Sequence, residues 1–180
     1  MAQGLRIYER LGFMKVVVLR LQALLQSYGD KSIFTETRDT NDMPTKSAVV
    51  GMIAGAMGIQ REDYDTLDEL NDHLEIYAKR NGGTVRKMSD MQMIRGESFP
   101  VASGSRKPAM PIVTKEYLVG ADFNVYVVTD SERADAIAAA MQHPVYPTVL
   151  GRKCCSPATR VFQCVMEEMS EKEKSECICL

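Results

Sequence analysis

The sequence predicts an α+β fold, and three observations carry that reading. Lys15-Val16-Val17-Val18-Leu19-Arg20-Leu21 and Asp122-Phe123-Asn124-Val125-Tyr126-Val127-Val128 are apolar, β-branched runs of strand length. A helical pattern follows each of them, at residues 49–57 and 131–141. Between the two halves, residues 74–79 and 84–88 read as strands joined across Asn81-Gly82-Gly83, a strong hairpin signal.

Taken in order, the first strand is buried and flanked by charge. Gln26-Ser27-Tyr28-Gly29-Asp30 is a polar turn, residues 33–38 are read as extended, and residues 39–42 turn again. Within the helix at 49–57, Val49, Ile53 and Met57 line one side, while Gly51, Gly55 and Gly58 form a stripe of small residues. Glycine costs about 1 kcal/mol inside a helix, so the stripe predicts close approach of another backbone, with the helix flat on a sheet. Thr66 with Glu69 reads as a capping box opening a second helix. Residues 94–111, rich in Gly, Ser, Pro and bases, form a long exposed excursion. Ser131 caps the alanine-rich helix at 131–141, Pro144 and Pro147 end it, and residues 167–176 are a charged, solvated segment compatible with a helix. Strand, helix, hairpin, strand, helix is close to the split βαββαβ, ferredoxin-like plan.

Size and composition narrow the function classes. The 180 residues, 45% hydrophobic and 26% charged, suit one soluble globular domain. The opening MAQGLRIYERLGF carries Arg6, Glu9 and Arg10 and so is not read as a secretory signal, and no window reaches the roughly 18 apolar residues of a membrane span. Five cysteines without a repeated CxxC argue for reduced thiols in a cytoplasm rather than a zinc site. The net charge of −2 hides contrast. Residues 79–115 hold eight bases against two acids, residues 151–160 three bases and no acid, and residues 61–78 one base against seven acids. Such basic segments fit either a local polyanion site or a solvated loop.

The stretch Asp42-Met43-Pro44-Thr45-Lys46-Ser47 raises the question of a nucleotide loop, but no glycine precedes Lys46-Ser47 and Asp39 and Asp42 would repel a triphosphate. Two readings remain: the helix start holds a single backbone phosphate, or Thr45 or Ser47 simply caps the helix. His73 sits among acids and His143 ends a helix beside Pro144, which reads as two surface histidines. No metal spacing and no enzyme signature emerge, and no cofactor is expected.

Several blocks together resemble the CasD family of CRISPR-associated proteins. They are residues 15–21, Leu25-Gln26-Ser27-Tyr28-Gly29, Thr37-Arg38-Asp39-Thr40, Met43-Pro44-Thr45-Lys46-Ser47 and Gly58-Ile59-Gln60-Arg61-Glu62-Asp63. Glu116-Tyr117-Leu118 and Tyr146-Pro147 before Leu150-Gly151-Arg152-Lys153 continue the likeness, which spans most of residues 14–157. The resemblance implies a ferredoxin-like, RRM-related domain with a protruding β-hairpin thumb at about residues 90–113. Residues 1–13 would be an N-terminal extension and residues 158–180 a short tail replacing a longer C-terminal part. No RNP1 aromatic motif appears, so RNA would be held by loops and thumb.

It further implies a non-catalytic subunit of a type I-E Cascade surveillance complex in the cytoplasm. Such a subunit holds the 5′ handle of crRNA, caps the CasC-type backbone, anchors the CasA-type large subunit and meets target DNA only indirectly. By position, Gln26, Ser27 and Tyr28 would lie beside handle nucleotides, with Tyr28 stacking on a base. Arg38, Thr45, Lys46 and Ser47 would contact phosphates, Arg152 and Lys153 would add phosphate or base contacts, and Arg95, Arg106 and Lys107 would grip from the thumb. The alternative, drawn from type I-C relatives, is metal-independent cleavage of precursor crRNA, requiring Tyr28, Lys46 and a histidine to converge.

Overall fold

The computed structural model describes residues 14–29, 37–82, 84–93, 98–100, 103–108 and 112–180, with the backbone alone at 99, 107 and 108. Its elements are β1 (Met14–Gln22), β2 (Leu25–Gln26), β3 (Thr37–Arg38), α1 (Lys46–Met57), α2 (Tyr64–His73), β4 (Glu75–Arg80), β5 (Arg86–Met93), β6 (Ser98–Pro100) and β7 (Arg106–Pro108). Then follow β8 (Ile112–Val119), β9 (Asp122–Asp130), α3 (Ser131–Gln142), β10 (Phe162–Met166), α4 (Glu171–Ser175) and β11 (Ile178–Cys179).

Two antiparallel arrangements organise the chain. The first is a five-stranded sheet in the order β10-β1-β9-β4-β11, each neighbouring pair antiparallel. Apolar residues on both faces of β1 explain its central place. Val17, Leu19 and Leu21 join the main core with Ile53 of α1 and Ile137 of α3, while Val16 and Val18 pack on the other face with Tyr126 and Met169. The second is the hairpin of β5 and β8, with Arg86 opposite Val119 and Met93 opposite Ile112; β2 pairs with β8 antiparallel and β3 pairs with it parallel.

Four sequence expectations change here. Residues 75–80 do not pair across Asn81-Gly82: β4 pairs with β9 instead, and Asn81 is fixed to β9 by its amide group, which donates to Asp122 and Asn124. The polar amide of Asn81 is therefore used to tie β4 to β9 where the chain departs for β5, rather than to turn a hairpin. α2 begins at Tyr64, capped by Asp63, whose carboxylate accepts from the Thr66 amide, so Thr66 lies inside the helix. α3 is capped by Asp130 rather than Ser131, the carboxylate accepting from the Arg133 amide. Residues 158–180 do not stand apart as a tail, because β10 completes one edge of the sheet and β11 lies against Tyr77 and Ala78 at the other. The charged segment does contain a helix, α4, with Ser170 and Glu173 forming a capping box. The extension at residues 1–13 and most of the extended reading at 33–38 lie outside the described residues.

Candidate functional site

A groove of about 700 Å³ opens where five stretches of the chain meet. One wall is α1, contributing Ser47, Ala48, Gly51 and Gly55, and the other is the loop from Tyr146 to Arg152. Ser27, Tyr28, Arg38, Asp39, Thr45 and Lys115 also line it.

Local chemistry holds these segments in place. Thr45 caps α1, its hydroxyl accepting from the Ala48 amide at 3.3 Å and lying 3.2 Å from the Ser47 hydroxyl. Among the two readings of this helix start, the cap is thus realised, and the amino end of α1 still faces the groove. Gly58 closes the helix with φ 80°, and the chain after it is tied down by Ile59 donating to the Ala54 carbonyl. The loop across the groove is pinned to α1 by the Val145 and Tyr146 amides, which donate to the carbonyls of Ala56 and Gly55.

The Leu150-Gly151-Arg152 block is pressed against the Ser27 segment. The Ser27 amide donates to the Leu150 carbonyl at 3.1 Å. Gly151 has φ 99°, and a Cβ there would stand 1.7 Å from the Ser27 carbonyl oxygen, so only glycine fits. Arg152 donates to the carbonyls of Glu116 at 2.8 Å and Arg38 at 2.9 Å, and its guanidinium lies 4.7 Å from the centre of the Tyr117 ring. This side chain ties three segments together.

The site residues expected from sequence divide accordingly. Ser27, Arg38, Thr45, Ser47 and Arg152 are brought together at the groove. Lys46 begins α1 half-buried, and Lys153 is exposed beside Arg152, but neither side chain lines the groove. Gln26 is corrected: it is fully buried, donating to the carbonyls of Leu21 and Ala121 and accepting from the Tyr28 hydroxyl at 2.7 Å. Tyr28 is corrected too. Its ring is 2% exposed and meets Phe123 edge-on, so no face is left for a base. Burial also drives its hydroxyl pKa far upward, with the nearby Cys155 adding to the shift, which removes it as a general base. Arg106 serves the β6–β7 pair, donating to the hydroxyl and carbonyl of Ser98, away from the groove. The Lys107 side chain and all of Arg95 lie outside the described residues.

Sequence reading missed Asp39, Lys115, Tyr146 and the bare wall of α1. An added Cβ at Gly51 or Gly55 would meet nothing within 4 Å, so the Cβ side of both glycines borders open space, while the close backbone approach expected of the stripe is made at the Gly55 carbonyl, which accepts from the Tyr146 amide. Their spacing of four puts them on one helix face, and that much was readable. Among the described residues no group of three or more His, Cys, Asp or Glu side chains is placed to hold a metal. No helix there is long and apolar enough to cross a membrane.

A five-stranded antiparallel sheet, with α1, α2 and α3 packed into its main core, and a groove edged by Arg38, Lys115 and Arg152 define a mixed α/β protein with a surface cleft. The chain belongs to the family described as CRISPR-associated protein (Cas_Cas5), which matches residues 16–176. It is 26% identical over 149 residues to the CRISPR system Cascade subunit CasD of Escherichia coli (strain K12), covering 77% of this chain and 66% of that one. A solved chain described as "CRISPR RNA-guided surveillance complex" superposes with a TM-score of 0.72 at 30% identity, over 88% of this chain and 66% of that one. Another, described as "Crystal structure of Cas protein", gives 0.58 at 28% identity, over 82% and 62%. The chain therefore spans just under two thirds of the length of these relatives.

Proposed function

We propose that this chain is a non-catalytic RNA-holding subunit of a type I-E Cascade surveillance complex. It holds the crRNA 5′ handle, caps a CasC-type backbone and anchors a CasA-type large subunit. In this reading the β10-β1-β9-β4 order, with α1 and α3 as crossovers, is the ferredoxin-like plan, and the β5–β8 hairpin is the thumb. One observation carries the proposal: segments 27–29, 38–39, 45–47 and 151–152, which fall within the blocks that carry the family resemblance, converge on a single groove that also presents Lys115 and the amino end of α1. Family membership and the likeness to a chain of a CRISPR RNA-guided surveillance complex support it.

Holding without cutting draws support from the placement of the candidate bases. His73 faces the Glu69 carbonyl at the end of α2, His143 caps the end of α3, and neither lines the groove. Purification of the chain with its partners should bring down a short RNA of uniform 5′ end. Arg38→Ala should weaken handle binding and flatten its salt dependence by about one charge, with Lys46→Ala acting in the same direction. Unchanged slopes in both variants refute the phosphate role. A defined cut of repeat RNA in EDTA would favour the endoribonuclease reading instead.

A further inference from the structure

Among the described residues the groove presents one exposed aromatic ring, and it is not the tyrosine the sequence suggested. Tyr146 is 47% exposed and lines the groove. Its backbone amide donates to the Gly55 carbonyl at 3.3 Å, and its hydroxyl accepts from the Gln60 side-chain amide at 2.9 Å. The preceding Val145 is anchored as well, its amide on the Ala56 carbonyl and its side chain against Gly58. A large, half-apolar ring is thus held at both ends while almost half of it stays in solvent.

Two further features of the same groove fit a planar, hydrogen-bonding guest. The α1 wall carries no side chain at Gly51 and Gly55, and the space in front of both is open. Asp39, also in the lining, brings a carboxylate, a hydrogen-bond acceptor, to the groove. Nucleobases have a flat face for the ring, a thickness suited to a narrow slot, and N–H groups for an acceptor. An exposed aromatic in a groove that also holds Arg38 and Lys115 combines a stacking surface with cations for phosphates.

We propose that Tyr146 is the base-stacking residue of the groove, receiving one unpaired nucleobase of the bound RNA between its ring and the bare face of α1. This rests on the RNA-holding reading above and specifies its contact. Gln60 is the positioning residue that fixes the ring through the hydroxyl.

The test uses the full chain and a fluorescently labelled single-stranded RNA with the repeat-derived 5′ sequence, titrated at several salt concentrations. Abasic nucleotides are placed one at a time along the RNA. In the wild type, one abasic position should weaken binding roughly five- to a hundredfold, the usual effect of losing one stacked base. Tyr146→Ala should weaken the intact RNA by a similar factor, leave the salt slope unchanged, and abolish the penalty at that one abasic position. Tyr146→Phe, which keeps the ring, should bind within a few-fold of wild type. An equal abasic penalty in wild type and Tyr146→Ala overturns the stacking assignment while leaving RNA holding intact. Wild-type protein that binds no RNA overturns both. Should Tyr146→Ala unfold, 2-aminopurine at the sensitive position decides between the same outcomes in Tyr146→Phe and wild type, because quenching in both supports stacking and quenching in neither refutes it.

Discussion

The two walls of the groove are built on opposite principles, and glycine marks both. On the α1 wall Gly51 and Gly55 look onto empty space, so a side chain there would strain nothing. On the facing wall Gly151 is fixed by φ 99° and by a backbone contact that no Cβ survives. One wall makes room by omitting side chains, while the other gains rigidity by pressing backbone on backbone. Sequence composition reports glycine in both cases and cannot tell them apart. The difference lies in what stands opposite, which is decided by chain segments distant in the sequence.

The sharpest way to break the contrast is Gly151→Ala. A left-handed residue with a side chain costs about 1–3 kcal/mol by itself, and the clash with Ser27 adds to it. Loss of at least ~2 kcal/mol in denaturant unfolding is expected, together with loss of the groove. Wild-type stability would show that the loop detaches without consequence. Arg152→Ala comes next. It removes two charge-assisted bonds to carbonyls and the contact with Tyr117, and a loss of about 1–3 kcal/mol is expected by the same measurement. Salt dependence of RNA binding should change by less than one full charge, because the Arg152 guanidinium already donates to two backbone carbonyls inside the protein.

Gly51→Ala sharpens the contrast from the other side. Better helix propensity with no clash predicts a gain of about 0.5–1 kcal/mol, so Tm should rise slightly. A fall in Tm would mean that something packs against that wall after all. The smallest effect is on pH dependence. Asp122 is held below the ordinary carboxylate range by Arg20, with Asn81 assisting, and Asp42 is lowered by Lys87. Folding therefore gains from these carboxylates above the unfolded value of roughly 4 and loses that gain as pH falls through their lower folded values. Asp122→Asn should flatten the acid limb of a stability–pH curve measured below about pH 4.

The neighbouring cysteines extend the comparison to alkaline pH. Cys154 is exposed, whereas Cys155 is buried and its thiol is pushed up to about 11, chiefly by burial and then by Cys154. Its contribution to stability is full below the ordinary thiol value of 9.0 and is lost as pH rises through the folded value. At pH 8 an alkylating reagent should label Cys154 and spare Cys155 in the folded chain.

Much of the fold was legible because local pattern and burial agree there. β1, β9, α1 and α3 stand where strand and helix periodicity put them, since each hides an apolar set in one continuous core. The Asn81-Gly82-Gly83 turn was misread because turn chemistry is local, while the choice of β9 as partner for β4 is made across the sheet. β10 and β11 escaped notice because short, half-exposed strands have weak patterns of their own. At the site, sequence singled out the right segments and in several cases the wrong atoms. Gln26 and Tyr28 belong to the right loop, yet their side chains turn inward to satisfy each other. Polar character does not reveal direction when a buried partner two residues away is available.

The Gln26–Tyr28 pair has a consequence for how the cleft keeps its shape. With the amide of Gln26 linking the end of β1 to the start of β9 and its oxygen holding the tyrosine, the floor beneath the cleft is a closed polar circuit embedded in hydrocarbon. Such a floor resists gradual deformation, since losing any link strands a polar group away from water. A guest would therefore meet a surface that is already set before it arrives, and little ordering would remain to oppose its capture.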